Sequence, residues 1–73
     1  MTEKEFYFLK EEINDGLRNK NIMPAVHIIC AFNRFELISN KIMEFLFNCI
    51  RTEIYVTCSM YDEINGNGVK EDE

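Results

Sequence analysis

Apolar residues return at steps of three and four along most of this chain, which is the period of an α-helix rather than a strand. The first series is Phe6, Leu9, Ile13 and Leu17. Thr2 and Glu5 precede it at the spacing of a capping box, in which each side chain satisfies the other residue's backbone N–H. Glu3 and Glu5 sit at the start and Arg18 and Lys20 at the end, as the helix dipole favours. The pattern predicts a first helix over residues 3–19. Gly16 weakens its last turn by about 1 kcal/mol relative to alanine.

A second series is longer. After a polar connection at Asn19-Lys20-Asn21, Pro24 is tolerated in a first helical turn. Ile28, Ala31, Phe35, Ile38, Ile42, Phe45 and Cys49 then alternate three- and four-residue steps, the spacing of a heptad seam. Asn33, Arg34, Glu36, Asn40, Lys41, Glu44 and Asn48 fall off the seam, as solvent-facing residues do. No Gly or Pro lies between Pro24 and Asn65 to stop a helix. The pattern predicts one continuous helix over residues 24–51, about 40 Å long. Val26, Ile29, Phe32, Met43, Leu46, Phe47 and Ile50 widen its apolar surface beyond a single stripe.

Residues 52–62 read in two ways. Ile54, Val56, Cys58 and Met60 alternate like a strand, while Cys49, Thr52, Val56 and Met60 continue a helical spacing. Helix is the preferred reading, with a break near Arg51 to Glu53, because a lone strand has no partner to pair with. Asn65-Gly66-Asn67-Gly68 ends regular structure, and residues 65–73 are expected to form a flexible acidic tail. The fold class expected is therefore all-α: one helical domain over residues 1–64, a small bundle built on a long central helix.

Composition narrows the setting. Hydrophobic residues make up 47% of the chain, too many for a disordered protein, so they need burial. Ile, Asn, Phe and Lys are abundant and Ala, Gly and Pro scarce, which points to AT-rich coding and a bacterial, phage or plasmid origin. The net charge of −5, with basic residues scattered, disfavours nucleic acid as a direct partner. The longest apolar run, residues 22–32, is too short to span a bilayer, which takes about 20 residues. The three cysteines, Cys30, Cys49 and Cys58, make an odd number without a CxxC pair, and the first residues lack the form of a signal peptide. A cytoplasmic protein with reduced thiols is expected, without a membrane partner.

Candidate chemistry is sparse. His27 and Cys30 would share a helix face as half of a zinc site, but no second ligand pair has matching spacing, and burial of Cys30 as a small apolar residue is the plainer reading. The same pair has the residue types of a thiolate nucleophile and base, but an apolar setting raises a thiol pKa. Glu11-Glu12, Asp15 and Asp62-Glu63 lie in polar stretches, where a solvated face explains them. Glycines at 16, 66 and 68 cannot build a phosphate loop. No catalytic, cofactor-binding or metal-binding residue is assigned, and no cofactor is expected.

A chain of this size buries only about 60% of its unfolded surface. A first helix of seventeen residues also cannot cover a seam running from Ile28 to Cys49. The expectation is a homodimer or higher homo-oligomer, with Ile28, Ala31, Phe35, Ile38, Ile42, Phe45 and Cys49 as the interface. The function expected is a small non-enzymatic interaction module, an adaptor or inhibitor that acts on a partner protein. Two alternatives stand beside it. One is a helical oligomer that sequesters a small ligand among Phe32, Phe35, Phe45 and Phe47. The other is an acidic mimic of nucleic acid, using the carboxylates clustered on the first helix and at the C-terminus.

Overall fold

The computed structural model describes residues 1–64. The chain is all-α, with no strand among these residues. The acidic tail expected over residues 65–73 lies outside them. In order, the elements are α1 (Glu3–Asn19), α2 (Met23–Arg34) and α3 (Asn40–Arg51), then an irregular stretch at residues 54–57 and a helical stretch over residues 59–64.

α1 begins and ends where its sequence places it. The capping box is complete: Glu5 N–H donates to Thr2 Oγ1 at 3.1 Å, and Thr2 N–H donates to Glu5 Oε1 at 2.8 Å. Phe6, Leu9, Ile13 and Gly16 form its buried stripe. At its end Lys20 takes a left-handed conformation, φ 57°, and Lys20 and Asn21 both donate to the Gly16 carbonyl. Gly16 has a tertiary reason as well. A Cβ there would lie 3.1 Å from Asn21 O and 3.2 Å from Ile22 Cα, so the missing side chain lets the chain turn tightly into α2.

The long central helix is corrected by the structure. It is two helices, α2 and α3, separated by residues 35–39. α2 closes with a Schellman motif: Glu36 N–H donates to Asn33 O at 3.0 Å, and Leu37 N–H donates to Phe32 O at 2.8 Å. Glu36 occupies the left-handed position usually given to glycine, φ 63°. Ser39 then caps α3, accepting from Ile42 N–H at 3.2 Å. The Asn33 amide braces the corner, with Nδ2 donating to Ile38 O at 3.2 Å and to Asn40 Oδ1 at 2.9 Å.

The energetic reason for the break is burial. A left-handed non-glycine residue costs about 1–2 kcal/mol. Folding back at Glu36 lets Ile38, Leu46, Cys49 and Ile50 join Ile29 and Ala25 in one core. Each large apolar side chain removed from water contributes about 1.5–3 kcal/mol, so the core outweighs the strained corner.

α1 and α2 pack antiparallel: Phe8, early in α1, stacks on Phe32, late in α2, with ring centroids 6.2 Å apart and planes 17° from parallel. α2 in turn packs on α3. α3 also ends in a Schellman motif, with Glu53 left-handed at φ 58° and Ile54 N–H donating to Cys49 O at 2.8 Å. The break expected near residues 51–53 is therefore present. The helix expected over residues 52–62 is corrected beyond that break: residues 54–57 are irregular, and helix resumes only at residue 59. Val56 is buried in this stretch, while Ile54 and Tyr55 just before it remain about half exposed.

Candidate functional site

The irregular stretch at residues 54–57 is held by one buried polar side chain. Asn14 is the sole buried polar residue among those described, and its amide pairs with the backbone of Val56 in both directions. Asn14 Nδ2 donates to Val56 O at 2.9 Å, and Val56 N–H donates to Asn14 Oδ1 at 2.8 Å. The side chain thus stands in for a neighbouring strand. From this latch the chain runs back along α1 toward its N-terminal half. Cys58 Sγ donates to Tyr7 Oη at 3.8 Å, and the Tyr61 ring meets Phe6 edge-on at 5.2 Å.

The Tyr7–Cys58 pair is the most distinctive polar contact at the surface. Once Cys58 is ionised, Tyr7 O–H becomes the donor to the sulfur; that hydrogen bond and then the charge of the sulfur push the Tyr7 phenol above its ordinary range, with Glu3 and slight desolvation adding to the shift. Lys10 lies 5.8 Å above the Tyr7 ring. A raised phenol holds its proton, so this arrangement does not activate Tyr7 as a base or nucleophile. Burial pushes the Cys49 thiol up as well, toward an inert packing role.

The remaining candidate chemistry is dispersed. His27 and Cys30 are both exposed on α2, so burial of Cys30, the reading its apolar neighbours suggested, does not hold. Among the described residues no three metal-type ligands gather. All three thiols are free. Three of the carboxylates of α1 are engaged locally: Glu5 in the capping box, Glu11 with Lys10 at 3.4 Å, and Asp15 with Arg18. Arg34, at the end of α2, lies at the opposite end of the antiparallel pair from Arg18 and Lys20, so these cations do not converge. No helix among the described residues is long and apolar enough to cross a membrane.

The seven seam residues are divided by the corner. Ile38 and Cys49 are buried in the chain's own core. Ile28, Ala31, Ile42 and Phe45 are half-buried on its flanks. Phe35 is 73% exposed, the most exposed large apolar residue of those described. It comes three residues after Phe32, at the C-cap of α2, and Leu37 is exposed in the corner beyond it. Phe8, outside the seam, is also about half exposed. Its off-stripe position next to Phe6 and Leu9 is the sequence signal for that exposure.

Two open depressions flank α3. One of ≈ 370 Å³ sits under the corner between Asn33 and Ile42, and one of ≈ 500 Å³ lies along Lys41, Phe45, Asn48 and Arg51. Of Phe32, Phe35, Phe45 and Phe47, among which a small ligand was expected, only Phe45 and Phe47 line either depression. The chain has no significant match to a family model, to a curated protein or to a solved structure.

Proposed function

We propose that this protein is a small non-enzymatic interaction module that acts by occupying the surface of a partner protein. The observation that carries the reading is Phe35, exposed at 73% at the end of α2, on a chain whose Phe8 is also about half exposed where it stacks on Phe32. The fold does not need Phe35 for its core, and leaving an aromatic ring in water has a cost that contact with another protein removes. Phe is among the residues enriched at the centres of protein interfaces. The three free thiols accord with a reducing, cytoplasmic setting.

The test is site-specific photo-crosslinking in extract of the source cell. A photoreactive phenylalanine analogue at position 35 is expected to give one discrete protein adduct. The same analogue at position 30, exposed on another flank of α2, is expected to give none. Equal labelling from both positions, or from neither, overturns the reading.

A further inference from the structure

The exposed face of α1 has an order of charges that matches its own reverse. Lys4, Phe8, Glu11 and Asp15 succeed one another at helical spacing, and all four are exposed. Read from the N-terminal end, the strip is cationic, then aromatic, then anionic. Lys4 makes no ion pair among the described residues, while Glu11 and Asp15 keep exposed pairs with Lys10 and Arg18 that a partner's Lys4 would share.

The geometry points to a second copy of this chain as the occupant of this strip, with the two α1 helices antiparallel and Phe8 at the crossing. The inference rests on the interaction reading above and names one partner for the same aromatic surface. A two-fold axis beside Phe8 puts Lys4 at the level of the partner's Glu11, and Glu11 at the level of the partner's Lys4. Parallel pairing would set Lys4 against Lys4 and Glu11 against Glu11, so the charges select one orientation. Phe8 meets its own copy at the centre, backed by Phe32 of its own chain. Exposed ion pairs contribute little each, so the rings supply affinity and the charges supply register. A strip one helix wide is at the small end of specific interfaces, the range of weak and transient encounters, so a dissociation constant on the order of 10 μM is the expected scale.

Sedimentation velocity on the full chain, from 1 μM to 1 mM as roughly the range bracketing that constant, tests this with a charge exchange. Wild type is expected to pass from monomer to dimer. Lys4→Glu and Glu11→Lys alone each place like charges together twice per dimer and are expected to weaken association about tenfold. The double variant restores opposite charges and is expected to recover wild-type association. Circular dichroism of each variant reads the fold, which exposed substitutions leave intact. A monomer throughout, or a dimer indifferent to the exchange, overturns the inference. Either result leaves the interaction reading standing on the position-35 crosslink, where an adduct with a different protein identifies a foreign partner.

Discussion

Asn14 and Val56, forty-two residues apart, are joined by two hydrogen bonds that use both the donor and the acceptor of one side-chain amide. The pairing closes the C-terminal segment onto α1. It also satisfies a buried backbone N–H and C=O that have no ladder to enter. Asn14→Ala leaves both groups without partners, and each such loss costs about 1–3 kcal/mol. We expect Asn14→Ala to be the most destabilising polar substitution in the chain, by urea denaturation. Asn14→Asp keeps the acceptor for Val56 N–H but faces Val56 O with a carboxylate. That carboxyl would titrate above its unfolded value, so its stability is fullest at low pH and is lost as pH rises through the folded value. Asn14→Asp should therefore be more stable, relative to wild type, at pH 4 than at about pH 7.

Two backbone sites predict effects of opposite sign. Glu36→Gly removes the side chain from a left-handed residue and is expected to stabilise the chain by about 0.5–1 kcal/mol in thermal unfolding. Gly16→Ala at an open helical site would gain about 1 kcal/mol. Here the new Cβ presses on the backbone at Asn21 and Ile22, which cannot rotate away as a side chain can. Gly16→Ala is expected to lose stability instead, and a rise in melting temperature would contradict this account of the α1–α2 turn.

Phe35 and Ile38 have equal standing in the heptad pattern but not in the fold. Ile38 is 4% exposed and Phe35 73%. Ile38→Ala is expected to cost about 2–5 kcal/mol. Phe35→Ser is expected to leave the stability of the isolated monomer within about 0.5 kcal/mol. Chemical denaturation at low protein concentration separates the two. Similar costs at both positions would indicate a continuous seam.

The thiols should divide by burial. Cys30 and Cys58 are exposed, while Cys49 is buried and its thiol raised. A colorimetric disulfide reagent at neutral pH is expected to modify two thiols quickly. The third should wait for the chain to open and speed up in denaturant.

Cys58→Ala gives a separate readout at Tyr7. Its loss removes the main cause of the raised phenol, so the Tyr7 ultraviolet titration should move down toward its ordinary value. In wild type, the stability linked to the raised phenol is complete below the unfolded phenol value and is lost as pH rises through the folded one.

Local order was legible in the sequence. The 3–4 period fixed the all-α class, and Thr2, Glu5 and the stripe of Phe6, Leu9, Ile13 and Leu17 fixed α1, because capping and helical periodicity involve residues within one or two turns of each other. The same local rules were blind to the corner at residues 35–39. Its left-handed residue is Glu36 rather than Gly or Asn, and the helical spacing runs through it undisturbed. A straight helix over residues 24–51 and a hairpin of α2 and α3 satisfy local propensity nearly alike. The difference lies in contacts between residues far apart in sequence: Ile38, Leu46 and Cys49 meeting Ile29, and Asn14 meeting Val56. Tertiary burial alone decided that Ile38 and Cys49 belong to the core, that Phe35 and Phe8 face outward, and that an asparagine on α1 holds the end of the chain.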